Sequence, residues 1–319
     1  MKRVAITGAA GFVGANLTRR LLQDGHEVHL LIRPDHAMWR IDDIRGDVRM
    51  HTADLGDRER VENAIREIKP DWVFHLAAHG AYSWQTDLSE IVRTNILGTV
   101  NVAEAAAKAG VETLVNTGSS SEYGYKDHAP SENEVVEPNS HYAVSKATAT
   151  MFCRFTAQKF GIRMPTLRLY SVYGPYEEPR RLVPSLVVKA LQSRLPPLAN
   201  PNTARDYVYV IDVVEAYLRA ATTDISDPGA VFNVGTGIQT TLHDIVDVTR
   251  QMLDVTEPPS WGSLPDRTWD TTIWRADPTR IQRELGWTPR YDVRSGLAET
   301  IGWFRANSAL CEFYVRQLS

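Results

Sequence analysis

The chain has 319 residues, of which 43% are apolar and 23% are charged, a composition typical of an ordinary globular protein that forms one large α/β unit or two closely packed domains. A formal charge of -4 at pH 7 excludes a general attraction to nucleic acid or to an anionic membrane, and no apolar run is long enough to span a bilayer. The two cysteines, Cys153 and Cys311, do not make a disulfide framework, so we expect a cytoplasmic protein with no nucleic-acid or membrane partner.

The first segment predicts a buried strand, a glycine-rich turn and a helix. Residues 3–7 are mostly apolar, and no basic and apolar stretch of a signal peptide comes before them. Gly8 permits a tight turn, Gly11 lets the backbone approach a pyrophosphate, and Gly14 lets the helix pack closely on the strand. The positive end of the helix dipole then faces the phosphates. The cofactor contacts predicted here are Gly8, Gly11, Phe12, Val13 and Gly14.

The second predicted strand, residues 27–32, ends where the chain selects between nicotinamide dinucleotides. A cofactor with a free ribose 2′-hydroxyl requires Asp or Glu at this point. The sequence instead has Arg33, whose guanidinium can clamp a 2′-phosphate, while Asp35 is a less well placed hydroxyl acceptor. A solvated surface arginine is the alternative interpretation. We therefore predict NADP(H) as the preferred cofactor and NAD(H) as the alternative.

Two further strands end in residues that suit a cofactor. Asp54 follows the third strand, where the adenine is expected, and small residues that allow close approach end the fourth strand, residues 71–78. His75 lies within that strand and is predicted to be packed, whereas His79 lies beyond it, near the expected substrate. Strands that alternate with helices through short links predict an α/β fold with a doubly wound parallel sheet. The contacts predicted here are Asp54, Leu55, Leu76, Ala77 and Ala78 for the cofactor and His79 for the substrate.

Residues 116–146 carry the groups that do chemistry. A fifth strand runs into a cluster of hydroxyl residues that includes Ser119, and Tyr142 and Lys146 share one face of a predicted helix. The Lys146 ammonium is expected to lower the pKa of Tyr142 from about 10 toward the working range. A serine hydroxyl beside the pair can hydrogen-bond the oxygen that exchanges the proton. These groups predict interconversion of an alcohol and a ketone, although a buried tyrosine and a surface lysine would show the same spacing.

Four motifs in order resemble the extended short-chain dehydrogenase/reductases, which are nucleotide-sugar epimerases, dehydratases and reductases. The motifs are residues 7–14, 75–78, 95–99 and 142–146. The resemblance implies a Rossmann fold, a nicotinamide cofactor, a nucleotide-diphosphate sugar as substrate, and catalysis by Ser119, Tyr142 and Lys146. It adds the cofactor contacts Asn95, Thr117, Tyr142, Lys146 and Tyr170, and the substrate contacts Ser119 and Ser120.

The second half of the chain extends the resemblance. Residues 167–175 are similar to the family's R-x-x-N-x-Y-G-P segment, with Ser171 in place of the usual Asn, and Arg205 and Arg267 stand where arginines hold the substrate diphosphate. The substrate contacts implied here are Ser171, Val183, Arg205 and Arg267. We expect residues 1–172 and 204–236 to bind the dinucleotide, and residues 173–203 and 237–319 to form a smaller, interleaved nucleotide-sugar domain. No cluster of metal ligands is present in the sequence, so we expect no metal.

The residues around Ser119 help to select the reaction. The family's 4,6-dehydratases have an Asp-Glu pair directly after the catalytic hydroxyl, whereas Ser120 and Ser121 follow here and Glu122 comes one place too late, so its side chain should point elsewhere. We therefore predict an NADPH-dependent reductase of a CDP-, GDP- or dTDP-linked 4-keto-6-deoxyhexose, similar to the CDP-abequose and CDP-paratose synthases and the reductases of GDP-4-keto-6-deoxymannose. An NAD-dependent nucleotide-sugar 4-epimerase is the alternative. A cofactor-binding sensor without enzymatic activity is the third interpretation.

Two predicted helices, residues 95–109 and 143–159, have alanine-rich faces. Dimers formed by pairs of helices are common in the family that the chain resembles, so we expect a homodimer. The same faces would equally suit the internal core of one chain.

Overall fold

A computed structural model of the chain describes residues 1–34, 36–264 and 273–318. Its described residues form eleven strands: β1 Arg3–Thr7, β2 Glu27–Ile32, β3 Arg49–Thr52, β4 Trp72–His75, β5 Thr113–Ser119, β6 Thr166–Leu169, β7 Ser171–Tyr173, β8 Ala204–Arg205, β9 Tyr207–Tyr209, β10 Val231–Val234 and β11 Thr240–Thr241. Seven of them form one sheet in the order β3-β2-β1-β4-β5-β6-β10, and each neighbouring pair is parallel. The predicted doubly wound parallel sheet is confirmed.

The described residues form eleven α-helices: α1 Phe12–Gln23, α2 Arg58–Ile68, α3 Leu88–Ile91, α4 Gly98–Ala109, α5 His141–Phe160, α6 Leu182–Ala190, α7 Val210–Thr222, α8 Leu242–Leu253, α9 Thr279–Leu285, α10 Val293–Ala306 and α11 Ser308–Gln317. Helices α1 and α7 cover one face of the seven-stranded sheet, and α2, α4 and α5 cover the other. Along β1, Val4 and Ile6 pack into a core with α1 and α7, whereas Ala5 packs into a second core with α2 and α4. This alternation follows from the two-residue period of a strand, and the burial of both faces explains the apolar strands.

The alanine-rich faces of α4 and α5 lie in the second core of the protein itself. Ala103 and Ala106 of α4 and Ala157 of α5 are all buried there. Of the two alternatives left open by the sequence, these faces are therefore internal core. Any helix-pair dimer must use other residues.

The remaining elements form a smaller layer beside the carboxyl ends of the sheet strands. β7 pairs with β9 in parallel, β8 pairs with β11 antiparallel, and a separate apolar cluster joins α6, α10 and α11. The segment after β7 is held from two sides, because the Arg40 guanidinium donates to the Tyr176 carbonyl at 2.7 Å and the Tyr314 hydroxyl of α11 donates to the Glu177 carbonyl at 2.6 Å. The division into two domains stays a prediction. None of the helices described is both long and apolar enough to cross a bilayer.

Candidate active site

The glycine turn between β1 and α1 leaves no room for side chains. Gly8 adopts a φ of +72°, and a Cβ there would lie 2.5 Å from the Ala77 backbone nitrogen at the end of β4. A Cβ on Gly14 would overlap the Gly8 carbonyl. Gly11 caps α1 without any side-chain hydrogen bond, so the first amides of the helix face outward. A backbone cradle at a helix N-terminus is the arrangement that binds a dinucleotide pyrophosphate, and the residues fit the cofactor that the sequence predicts.

The ends of β1 and β4 are fixed by a buried histidine. His75 is fully enclosed, with its Nδ1 2.7 Å from the Thr7 hydroxyl and its Nε2 2.9 Å from the Thr99 hydroxyl. Burial lowers the pKa of His75 to about 3, so the ring is neutral. His75 is therefore packed, as predicted. The strand ends at His75, three residues before the predicted end, and Leu76, Ala77 and Ala78 form the partly exposed turn that follows it.

Ser119, Tyr142 and Lys146 come together at the end of β5. Ser119 is the last residue of that strand, and Tyr142 and Lys146 lie in the first turns of α5, whose N-terminus is capped by Ser140. The Ser119 hydroxyl is close enough to Tyr142 to favour its phenolate. Lys146 is only 2% exposed, and burial lowers its pKa. The structure therefore brings together the three residues that the sequence predicts as catalytic.

The pKa of Tyr142 differs from the prediction. Burial raises it to about 12, and the opposing effect of the Ser119 hydroxyl is smaller. Lys146 is not among the main groups that move this pKa, so the expected lowering is not found, and desolvation of the phenolate is the largest effect. A pKa this high keeps the Tyr142 hydroxyl protonated, but it also makes the hydroxyl a weaker acid than that of a free tyrosine.

Asn95 ties the loop after β4 to α5. It lies in a π-helical segment, Val92–Leu97, and has no exposed surface. Its Oδ1 accepts a hydrogen bond from the His79 amide at 2.8 Å, and its Nδ2 donates to the His79 carbonyl and to the Ser145 hydroxyl, both at 2.8 Å. The Ser145 hydroxyl in turn donates to the Tyr142 carbonyl at 2.7 Å. All these contacts are within the protein, so Asn95, predicted as a cofactor contact, fixes His79 relative to Tyr142.

Two arginines and two carboxylates form an exposed group near the ends of β2 and β3. Arg33 Nη1 lies 3.1 Å from Glu90 Oε2, and Arg93 Nη2 lies 2.8 Å from Asp54 Oδ2. The hydrogen bond from Arg93 lowers the pKa of Asp54, and the charges of Arg93 and Arg33 add to this effect. Arg33 is thus a surface residue held by an exposed carboxylate. Asp35, the weaker alternative, lies outside the described residues.

The other predicted cofactor contacts are largely buried. Leu55 is buried and its carbonyl accepts a hydrogen bond from Asn101 at 2.7 Å. The Thr117 hydroxyl is 2.5 Å from the Tyr217 hydroxyl. The Tyr170 hydroxyl is enclosed and has no hydrogen-bond partner in the described part of the chain.

A pocket at the carboxyl ends of β5 and β6 contains some of the residues that the sequence predicts as substrate contacts. It is lined by Ser120, Tyr123, Gly124, Lys126, Pro130, Tyr170, Ile273, Trp274 and Arg275. Arg205 stacks on the Trp274 ring at 4.8 Å, which brings this predicted diphosphate ligand to the pocket wall. Ser171 lies at the start of β7, whereas Val183 is buried in α6 and packs in the core. Arg267 lies outside the described residues.

The sequence reasoning missed several residues of this region. Trp274 and Arg275 follow the segment that holds Arg267, and Lys126 follows the hydroxyl cluster. No motif spacing in the sequence indicates that these three residues line the same pocket. Glu122 is fully buried and forms an ion pair with Arg168 at 2.9 Å, so its side chain points away from the substrate side, as predicted. Arg168 begins the R-x-x-N-type segment, and that motif was the available signal for its importance. Among the residues described, no group of His, Cys, Asp or Glu could hold a metal ion.

Relatives found by sequence comparison match nearly the whole chain, among them an epimerase and a dehydratase. A UDP-glucose 4-epimerase of Mycolicibacterium smegmatis is 32% identical, covering 96% of this chain and 99% of the relative. A dTDP-glucose 4,6-dehydratase of Streptomyces griseus is 28% identical, covering 96% of this chain and 95% of the relative. Neither of these two is a reductase.

Structural comparison gives a similar result. The structure of MoeE5 in complex with UDP-glucuronic acid and NAD superimposes with a TM-score of 0.83 and 31% identity, covering 95% of this chain and 99% of that one. Residues 4–235 match the model of the NAD dependent epimerase/dehydratase family. These residues contain the glycine turn and all three members of the Ser119, Tyr142 and Lys146 group. The chain therefore belongs to the NAD dependent epimerase/dehydratase family.

Proposed function

We propose that the protein catalyses nicotinamide-dependent oxidoreduction at C4 of a nucleotide-diphosphate hexose. The observation that carries this proposal is that Ser119, Tyr142 and Lys146 lie at the same carboxyl edge of the parallel sheet as the glycine turn. A non-enzymatic sensor would need the glycine turn but not all three of these side chains. The relatives named above act on UDP- or dTDP-linked sugars by name, which supports the substrate class.

The protein residues divide the work as follows. The Tyr142 hydroxyl donates a proton to the C4 oxygen of a ketone, or accepts it from the alcohol in the reverse direction. The Ser119 hydroxyl orients the same oxygen by a hydrogen bond. The buried Lys146 ammonium would bind ribose hydroxyls of the cofactor and would favour the phenolate after the proton has left. When bound, the nicotinamide cofactor supplies or accepts the hydride at C4.

The cofactor and the substrate are held by separate groups of residues. The glycine turn and the first amides of α1 would bind the pyrophosphate of the cofactor, and Thr117 and Tyr170 would border its nicotinamide end. Arg205, together with Arg267, would hold the substrate diphosphate through bidentate hydrogen bonds. Ser120 and Ser171 would contact the sugar. Positioning of the sugar against the nicotinamide then supplies much of the rate.

We favour reduction of a 4-keto-6-deoxyhexose with NADPH as the specific reaction. Arg33 follows β2 where an NAD-selective chain has a carboxylate, and its partner Glu90 is exposed and so easily exchanged for a 2′-phosphate. A reductase must release its oxidised cofactor in each turnover, which suits an exposed site.

A nucleotide-sugar 4-epimerase that uses tightly bound NAD is the second candidate. The 32% identity to a UDP-glucose 4-epimerase and the likeness to MoeE5 with bound NAD favour it at least as strongly. In that reaction Tyr142 would take the proton of the C4 hydroxyl. It would return the proton after the keto sugar has rotated to present its opposite face. Dehydration is disfavoured despite the dehydratase relatives, because Glu122 is buried in an ion pair.

One experiment separates the candidates. The purified protein is denatured to identify any bound dinucleotide, and the native protein is assayed with NADPH and NADH against CDP-, GDP- and dTDP-linked 4-keto-6-deoxyhexoses. UDP-glucose is tested in parallel for conversion to UDP-galactose. NADPH oxidation with a keto sugar supports the reductase, and sugar interconversion without net change in absorbance supports the epimerase. Turnover of neither substrate class would refute the proposal.

Arg33→Ala should weaken NADPH binding more than NADH binding, and equal losses would exclude Arg33 from the 2′-phosphate site.

We also propose that the protein forms a homodimer through the outer face of α5. Val144, Met151 and Phe155 recur at helical spacing on this face and are 47%, 60% and 61% exposed, respectively. A contiguous apolar helix face of this kind is unusual for a monomer. The exposed Leu97 of the adjoining π-helical segment extends the same surface.

A further inference from the structure

A buried ion pair lies directly beneath Ser119. Glu122 has no exposed surface, and Arg168 of β6 is 5% exposed. Glu122 Oε2 accepts a hydrogen bond from Arg168 Nε at 2.9 Å, and the guanidinium stacks on the Tyr123 ring at 4.5 Å. Two buried charges of this kind are costly to desolvate, so stability alone is a weak reason to place them there.

The other oxygen of Glu122 is bound to the catalytic segment. Glu122 Oε1 accepts a hydrogen bond from the Ser119 amide at 2.9 Å and another from the Thr150 hydroxyl of α5 at 3.1 Å. The Ser119 hydroxyl in turn accepts from the Ser121 amide at 3.2 Å, so Ser119 and Glu122 form a reciprocal capping box. The carboxylate therefore joins the strand that carries Ser119 to the helix that carries Tyr142 and Lys146.

Glu122 is also the anionic group that acts on both remaining catalytic residues. Its charge raises the pKa of Lys146 against the lowering by burial, and it adds to the rise in the pKa of Tyr142. The other titratable groups that act on Tyr142 or Lys146, from every element around them, are Tyr82, Arg181, Tyr217, His75 and Cys153. Of these, only Arg181 carries a permanent charge.

We propose that Glu122 is a positioning residue of the catalytic group, which fixes Ser119 through the capping box and supplies the negative charge that acts on Tyr142 and Lys146. The proposal rests on the proposed function of these three residues. One oxygen of the Glu122 carboxylate binds both the Ser119 amide and the Thr150 hydroxyl of α5, so Glu122 sets the place of the serine relative to that helix. Its charge also opposes the effect of burial on Lys146, and so favours the ammonium form that the proposed function requires.

The test is the Glu122→Gln variant, in which an amide oxygen can still accept from the Ser119 amide but the charge is gone. The matched control is Thr150→Val, which removes a hydrogen bond to the same carboxylate oxygen and leaves the charge. Because Glu122→Gln leaves Arg168 unpaired and can fail to fold, the double variant Glu122→Gln/Arg168→Gln pairs two amides instead. Each protein is measured with its cofactor bound.

Two readouts are compared. The first is the alkaline limb of the pH profile of kcat with the nucleotide sugar that the native protein turns over. The second is the ionisation of Tyr142, taken as the difference in tyrosinate absorbance between each protein and its Tyr142→Phe counterpart. In both Glu122 variants we expect the pKa of Tyr142 to fall and the alkaline limb of kcat to move to lower pH. Because the Ser119 hydroxyl is displaced, kcat at neutral pH should fall about tenfold or more with a nearly unchanged KM. Thr150→Val should leave the pKa unchanged.

An unshifted pKa in a folded Glu122 variant, or an equal shift in Thr150→Val, would overturn the proposal. The absorbance readout does not depend on turnover. If the native protein turns over no nucleotide sugar, the proposed function fails while the effect of Glu122 on Tyr142 is still measured. If the native protein is active and the pKa does not move, only the role of Glu122 fails.

Discussion

Substitution of Gly8 by alanine gives a quantitative test of the glycine turn. Gly8 has a φ of +72°, and a Cβ at this position would lie 2.5–2.8 Å from three backbone atoms of Leu76 and Ala77. Backbone atoms cannot move aside as a flexible side chain can, so the turn must shift away from β4. The same shift displaces the amides that face the cofactor pyrophosphate.

The size of the effect follows from two contributions. The left-handed backbone costs a residue with a Cβ about 1–2 kcal/mol, and the forced overlap adds about 1–3 kcal/mol. Gly110 provides a matched control, because it has a φ of +68° and a Cβ there would meet nothing within 4 Å. Gly110→Ala therefore loses only the first contribution, partly offset by the lower entropy of its unfolded chain.

Urea denaturation and cofactor titration by fluorescence measure both effects. We expect Gly8→Ala to lose about 2–5 kcal/mol of unfolding free energy and Gly110→Ala about 1 kcal/mol or less. Cofactor affinity should fall at least tenfold for Gly8→Ala and stay unchanged for Gly110→Ala. If the two variants lose equal stability and bind the cofactor equally well, the turn is not packed against β4 as described and does not cradle the pyrophosphate.

Three other predictions concern the catalytic group, a buried acid and the outer face of α5. Tyr142→Phe should abolish turnover but spare binding of the nucleotide product in calorimetry, and retained turnover would exclude Tyr142 as the proton donor. Burial raises the pKa of Glu177 to about 8, so the folded state holds a proton that the unfolded state has released above pH 5. The free energy of unfolding should therefore fall by on the order of 3 kcal/mol as pH rises from 5 to 8. In urea titrations, Glu177→Gln should remove most of this dependence. An identical pH dependence in the variant would contradict the role of Glu177. Phe155→Asp should convert a dimer to a monomer in light scattering, whereas a monomeric native protein would disprove the proposed interface.

The sequence predicted the fold well because the relevant signals are local. The apolar strands, the short links and the glycine turn each depend on residues close together in the chain, and alternating strands and helices joined by short links predict a parallel sheet. Ser119, Tyr142 and Lys146 could be predicted for the same reason, since motif spacing places them at the end of a strand and the start of a helix. Their convergence then needs only the parallel sheet.

Features that depend on distant contacts could not be predicted. The pKa of Tyr142 is raised because several elements enclose its hydroxyl, and no local pattern measures that enclosure. Glu122 and Arg168 are 46 residues apart, and only the parallel pairing of β5 with β6 brings them together. The internal packing of the alanine-rich faces depends likewise on which helices cover the sheet.

The segment after β7 connects two distant parts of the chain. Tyr314 of α11 donates to the Glu177 carbonyl, and Arg181, at the end of the same segment, is one of the charges that act on the pKa of Tyr142. α11 therefore anchors this segment from the side of the smaller layer. A change in α11 is expected to reach the surroundings of Tyr142 through the segment.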